Sequence, residues 1–439
     1  MLTNLKTKLN NLWDHPGFRR YFANTGWLFA GRIFQMGIAF FVGVWVARYL
    51  GPSEFGLLSF ARSFVGLFMA ISTLGLDGIV IRELVKDESR RDFLLGTSFV
   101  LKLIGAIVAL ALVSIAIYFT STDNLTRLMV ILIAASLIFQ SFNVVDLYFQ
   151  SKVVSKFSVF AQVFSTTLSG LLKVYLIITK ASVIYFAAMA IFDMATIGAG
   201  YIYFYKKCTN ETLTKWKFDL QCAKSLLKDS WPLIFSGIAV GIYMKIDQVM
   251  IKYMLNNKAV GEYAVAVRLC EIWYIIPVII TSSLFPAIMN AKKQGEKLYY
   301  DRLQKLYSLM IWLAIMIAFS LSIFSKKLIE FLYGVAYMDS YTVLYIYIWV
   351  SIFVFVGVAF SKYLIIENYT QKNLYRTILG AGANIICNII LIPRYNIIGA
   401  AISTLIGQII ANYIYDLFDK DLRRVFYLKI ICLNPIKIF

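Results

Sequence analysis

The chain has 439 residues, 60% hydrophobic and 16% aromatic but only 15% charged, with a mean hydropathy of +0.73 and a formal charge of +19. Soluble domains average about half apolar and about a quarter charged, so a sizeable soluble domain is excluded and an all-α integral membrane protein is indicated. Five cysteines without close pairing or ligand spacing predict free thiols, and His15, the single histidine, excludes histidine triads and histidine metal clusters.

The first twenty residues are polar and basic, with Lys6, Lys8, Arg19 and Arg20, and they lack the cleavage pattern of a secretory signal. Trp13 beside Leu9 and Leu12 suggests either an amphipathic segment lying on the membrane face or a disordered tail. A bilayer core about 30 Å thick takes about 20 apolar residues per spanning helix. The apolar runs predict about twelve such helices, over 22–48, 55–80, 93–119, 125–150, 157–179, 182–205, 230–254, 260–289, 306–328, 340–366, 373–393 and 397–418. The tail 425–439 is apolar but broken by Pro435 and too short to span, which leaves it at the interface.

Sidedness follows from the basic residues in the joints. With both termini cytoplasmic, 28 of the 43 lysines and arginines fall in inside segments, eight in outside joints and seven within spans. The positive charge is therefore a topology signal and a source of affinity for lipid headgroups, and nucleic-acid binding is not indicated. The longest inside joint, Lys206 to Lys228, divides the chain into two bundles of six helices, assigned as 1–215 and 216–439.

The two halves echo one another. Phe55-Gly56-Leu57-Leu58-Ser59-Phe60-Ala61-Arg62 opens the second span, and Val260-Gly261-Glu262-Tyr263-Ala264-Val265-Ala266-Val267-Arg268 opens the eighth. Both copies have the same sidedness, so a true repeat is parallel, related by an axis along the membrane normal. Chance similarity between apolar helices is the competing explanation.

A charge at a helix centre costs about 2.5 to 3.5 kcal/mol even on insertion scales, so charges inside spans are informative. Arg62 lies about 10 Å in from the outer face and Arg268 about 12 Å, with Arg32, Lys102 and Lys245 near mid-depth. Lys173 and Lys362 sit nearer helix ends, where snorkelling explains them. Asp193, Asp247 and Glu271 are the deep acids, whereas Asp77, Asp146 and Glu367 read as interfacial. Glu271 follows Arg268 by three residues, so the two can share a helix face as an ion pair. Five deep cations outnumber three deep acids, and the excess suits a water-filled cavity that receives an anionic group such as a phosphate. The small-residue runs Gly237-Ile238-Ala239-Val240-Gly241 and Gly399-Ala400-Ala401 allow close helix packing.

Together the stretch Ala47 to Phe64, the continuation Gly75-Leu76-Asp77-Gly78-Ile79-Val80-Ile81-Arg82-Glu83-Leu84, Trp231-Pro232-Leu233-Ile234-Phe235, Lys245-Ile246-Asp247-Gln248-Val249-Met250-Ile251 and Ile398-Gly399-Ala400-Ala401-Ile402-Ser403-Thr404 carry a family likeness. Nearly the whole chain resembles bacterial polysaccharide exporters, the Wzx-type O-antigen flippases of the multidrug/oligosaccharidyl-lipid/polysaccharide superfamily. The resemblance implies two six-helix bundles around a V-shaped central cavity, in a multi-pass protein of the bacterial cytoplasmic (inner) membrane. It also implies transport of an isoprenoid-diphosphate-linked oligosaccharide to the outer leaflet by alternating access, for O-antigen, capsule or exopolysaccharide assembly.

Arg62, Arg268 and Asp247 stand on the matched motifs; Arg32, Lys102 and Lys245 join the cationic lumen on charge and depth alone. Asp193, Asp247 or Glu271 are the candidates for coupling to H+ or Na+, with no other cofactor and no resident metal called for. The expected partners are the glycan lipid, membrane lipids and polysaccharide polymerase or assembly proteins. A drug/cation antiporter of the same superfamily predicts an acid-dominated lumen instead. A membrane polymerase or glycosyltransferase predicts catalytic carboxylates in a substantial outside loop, which this chain lacks, so no enzyme is expected.

Overall fold

The structure, a computed structural model, describes residues 16–433, with side chains from 23 onward except that of Thr370. The segment around Trp13 and the tail beyond 433 lie outside the described residues. Every regular element among the described residues is helical, as spans in lipid demand, because each backbone N–H and C=O must find its partner within its own segment. Ten helices among the described residues are long and apolar enough to cross a membrane.

Two of those ten contain a break, each at a joint that hydropathy anticipates. In Pro16–Gly66, Gly51 has φ 68 and ψ 173. The positive φ suits glycine, and the extended ψ is what the following Pro52 imposes on its predecessor. In Thr370–Ile409 the break is at Asn396, with φ 52 and ψ −137, shortly after Pro393. The run 55–80 is not one rod either. Its helix stops at Gly66, a turn of helix covers Met69–Thr73, Leu74 and Gly75 take positive φ, and Asp77–Lys86 resumes.

The chain divides into two units, each built from two stretches: Met1–Val46 with Phe68–Ile238, and Ala47–Leu67 with Ala239–Phe439. This differs in two places from a division at 215/216, and each difference has a packing cause. In the first unit the connection after Val183–Thr209 is fastened back onto the helices. Trp216 Nε1 donates to Tyr205 Oη at 3.2 Å, Lys217 N to Asp92 O at 3.1 Å, and Asp219 N to Thr97 Oγ1 at 3.0 Å. Cys222, Ala223 and Leu226 then extend the core of Leu95, Val145, Phe149 and Tyr201. The start of helix Leu220–Met254 thus belongs with the helices before it.

In the second unit the stretch 47–67 is tied in by Tyr337 Oη donating to Ala47 O at 2.7 Å and Ser63 Oγ donating to Gln248 Oε1 at 2.8 Å. Between these ties Gly56 and Gly261 lie against each other. A Cβ on Gly56 would fall 1.8 Å from Asn257 O and 2.7 Å from Gly261 N, and one on Gly261 would fall 2.0 Å from Pro52 O. The two sequence motifs that echo one another therefore meet at their glycines, where the missing side chains let backbone touch backbone.

The core of this unit is Tyr307, Met310, Phe355, Phe360 and their neighbours, and the tail helix Arg423–Ile431 docks on it. Val425, Lys429 and Cys432 are fully buried, so this part of the tail packs on the bundle and does not merely rest at an interface. Lys429 Nζ donates to Asp416 Oδ2 at 2.6 Å and to Asn412 O at 3.0 Å, with both charged side chains 0% exposed. Burial holds the Lys429 ammonium below its usual range, and the Asp416 carboxylate opposes that effect. Breaking a buried pair by removing one partner leaves the other charge uncompensated, at about 3–5 kcal/mol. Asp416→Asn is accordingly expected to lower the thermal midpoint of the purified protein markedly. The double change Asp416→Asn with Lys429→Met should recover most of that loss, and additive losses in the two single variants would contradict the pairing.

The outer surface is apolar, with Phe119 80% and Phe331 79% exposed among many large hydrophobic side chains. Such a surface is stable only against lipid.

Candidate functional site

The second unit holds a buried carboxylate without a cationic partner. Asp247, on Leu220–Met254, is 5% exposed. It accepts hydrogen bonds from Tyr263 Oη at 2.8 Å, Thr404 Oγ1 at 2.6 Å and Asn388 Nδ2 at 2.7 Å. Asn388 Nδ2 also donates to Asn384 Oδ1 at 3.2 Å, while Asn388 Oδ1 and Asn384 Nδ2 are buried without a partner. Among the described residues no lysine or arginine forms an ion pair with Asp247. Three neutral donors thus take its lone pairs in place of a cationic partner.

Lys245, two residues earlier, points away from Asp247, as the spacing predicts. Its stem lies against Gly66, where a Cβ would be 3.4 Å from Lys245 Cγ. Gly66 is one turn after Arg62, and Ser63, beside Arg62, bonds Gln248. Arg62 and Lys245 therefore sit on neighbouring helices about 6 Å apart along the axis, with Arg62 exposed and Lys245 half-buried. Helix continuity fails close by, at Gly66. Arg268 is half-buried within electrostatic reach of Glu271 and Tyr333, in keeping with the expected three-residue spacing. Glu271 ends helix Asn257–Glu271, which tightens into the 3₁₀ turn Ile272–Tyr274 before Ile275–Gln294 resumes.

The first unit revises several expectations. Lys102 is 3% exposed and ion-paired with Asp77, so it is a neutralised buried cation and not a free lumen charge. Asp77 is thereby a partner, and the neighbouring Asp146 is buried and accepts from Gln150 Nε2 at 2.9 Å, so it is not interfacial. Asp193 pairs with Lys173 at 3.0 Å, so Lys173 does not simply snorkel and Asp193 is not an uncompensated acid. Arg32 is exposed on the first-unit part of Pro16–Gly66.

Charge counting passes over Tyr263, Asn384, Asn388 and Thr404, the neutral groups around Asp247. Two asparagines four apart in an otherwise apolar run, with Thr404 in the Gly399-Ala400-Ala401 motif, are the sequence signal that points to them. Arg376 also escapes it: counted with an inside joint, it is buried, 7% exposed.

Two helical units, broken helices beside charged side chains and a buried carboxylate held by neutral donors define a multi-pass helical membrane protein. Residues 21–292 match the family model described as polysaccharide biosynthesis protein, and the chain belongs to that family. Over 384 residues it is 22% identical to the “Probable low-salt glycan biosynthesis flippase Agl15” of Haloferax volcanii, covering 86% of this chain and 79% of that one. Among solved structures, an inward-facing multidrug resistance MATE family transporter of the MOP superfamily superposes with a TM-score of 0.73 at 16% identity, over 90% of this chain and 96% of that one. The lipid II flippase MurJ in an inward closed conformation gives 0.71 at 16% identity, over 93% and 91%. At such identity the two structures establish the fold alone. The chain is thus a multi-pass helical membrane protein of the polysaccharide biosynthesis family.

Proposed function

We propose that this chain is a flippase that carries an isoprenoid-diphosphate-linked oligosaccharide from the cytoplasmic to the outer leaflet by alternating access between two six-helix bundles. It acts in O-antigen, capsule or exopolysaccharide assembly in the bacterial cytoplasmic membrane, with both termini inside, and hands its cargo to a polysaccharide polymerase or assembly protein. The observation that carries this reading is the neighbouring pair Arg62 and Lys245 in a member of the polysaccharide biosynthesis family. The guanidinium offers a bidentate fork to phosphate oxygens, and the ammonium adds a point charge beside it. Arg268 and Arg32 supplement that field, while the isoprenoid tail remains in lipid.

Asp247 is the proposed coupling residue. Asn384, Asn388 and Thr404 add neutral oxygens of the kind a hard cation such as Na+ takes, and the carboxylate alone suffices for H+. Binding there supplies the charge compensation that the buried carboxylate lacks. Glu271, beside Arg268, is the secondary candidate.

The test is reconstitution in proteoliposomes with a glycan linked to an isoprenoid diphosphate, following its exposure to a membrane-impermeant glycosidase. Wild-type protein should expose the glycan lipid faster under an imposed H+ or Na+ gradient. Asp247→Asn should lose that response and slow gradient-driven transfer about tenfold or more. Equal, gradient-independent rates in both proteins would remove the coupling role. Movement of a cationic dye without movement of the glycan lipid would make the chain an antiporter.

A further inference from the structure

A second polar site lies within the second unit, apart from the Arg62 and Lys245 pair. It is a cavity of about 280 Å³ lined by side chains from 240 to 412, large enough for several waters at about 30 Å³ each. Arg376 is its one charged lining residue. Its Nη2 makes only long contacts, to Gly357 O at 3.5 Å and Ser361 Oγ at 3.4 Å, and its guanidinium lies 4.8 Å from the Phe360 ring centroid. Its Nη1 is buried with no partner, as are the hydroxyls of Tyr243 and Tyr274 and the Oδ1 of Asn373, all lining the same space.

The charge balance is equally specific. Among the described residues no carboxylate forms an ion pair with Arg376, and Asp416, which it senses electrostatically, is already held by Lys429. An arginine does not shed its proton inside a protein, so burial leaves a positive charge that no lining residue offsets, and the Asp247 carboxylate, behind Thr404 on the same wall, is held by its own three donors. The unpartnered groups are mainly donors, and Asn373 becomes another if its amide is turned over, an assignment set only by its hydrogen bonds. One wall is the π-helical turn Ile410–Ile414, whose Ala411 and Asn412 line the cavity. Such turns recur at functional sites.

We infer that this cavity binds a small monovalent anion, of chloride or simple carboxylate size, between the Arg376 guanidinium and the hydroxyls of Tyr243 and Tyr274. The anion neutralises the one buried guanidinium without an ion-pair partner in this cavity and receives the donors that otherwise have none. Divalent phosphate would bring more charge than the site offsets.

The experiment uses the full-length protein in zwitterionic-lipid nanodiscs, with chloride as the probe at constant sodium and ionic strength, gluconate making up the balance. Line broadening of the ³⁵Cl resonance should show a saturable component on wild-type protein, displaced by nitrate and by acetate. Arg376→Gln should abolish it. Tyr243→Phe and Tyr274→Phe, which keep the packing, should each weaken chloride about tenfold, so the site stays testable should the arginine variant fail to fold. No saturable component on wild type, or an unchanged one in folded Arg376→Gln, would overturn the inference. Displacement by inorganic phosphate or glycerol phosphate but not by nitrate would overturn it in favour of a phosphate or lipid-headgroup site.

Discussion

Arg62→Glu is expected to abolish transfer of the glycan lipid while the protein still inserts and folds. Arg62 is exposed, so the substitution opens no cavity in the core. Its effect on an anionic headgroup is large. Two unit charges about 4 Å apart interact by about 4 kcal/mol at an effective dielectric of 20, and the substitution replaces attraction by repulsion. Discounted heavily for water in the site, this still corresponds to at least a hundredfold loss of rate, about 2.7 kcal/mol. Arg62→Lys should retain charge but lose the planar fork, with an intermediate loss near tenfold. The glycosidase-exposure assay, read beside the amount of protein in the membrane fraction and its elution as a monodisperse peak, separates transport from insertion. Full activity in Arg62→Glu would remove Arg62 from the transport path.

Gly261→Ala and Gly56→Ala are expected to be among the most destabilising single changes in the second unit, although each adds one methyl. At both positions the obstacle is backbone of the opposing segment, 1.8 to 2.0 Å from the new carbon, and backbone cannot swing aside as a side chain tip can. Overpacking costs about 1–3 kcal/mol where side chains yield, so at least about 3 kcal/mol follows here, with separation of the two segments. Gly37→Ala is the control, since nothing lies within 4 Å of its Cβ position. It should be neutral or stabilising by up to about 1 kcal/mol, through helix propensity. Thermal unfolding in detergent compares the three variants. Gly261→Ala melting with Gly37→Ala would mean that the crossing is looser than described.

The glycine pair also shows where local reading succeeds. The echo between residues 55–62 and 260–268 is visible in one dimension, because small residues at a fixed spacing leave a recognisable pattern. That the two copies touch each other is not visible there. The same holds for charge. Depth along a span follows from counting residues, and it singles out Arg32, Arg62, Lys102, Lys245 and Arg268 with Asp193, Asp247 and Glu271. Partnership follows from which helices are neighbours, and it turns Lys102 into the partner of Asp77, 25 residues away, and Asp193 into the partner of Lys173. Asp247 takes two of its three ligands from positions 141 and 157 residues further on. Those ligands are neutral, so a count of charges passes over them.

Hydropathy and the distribution of basic residues determined by themselves that this is a helical, multi-pass membrane protein, and where its chain turns. Lipid imposes one local rule, that each crossing be a long apolar helix, and this rule is written residue by residue along the chain. The tertiary structure alone decided that the stretch 47–67 joins the second unit, that the tail helix docks through Lys429, and which charges are matched. These depend on contacts between helices far apart in sequence. Burial strengthens charge pairing, and the pairing energy is set by distances that no linear pattern records.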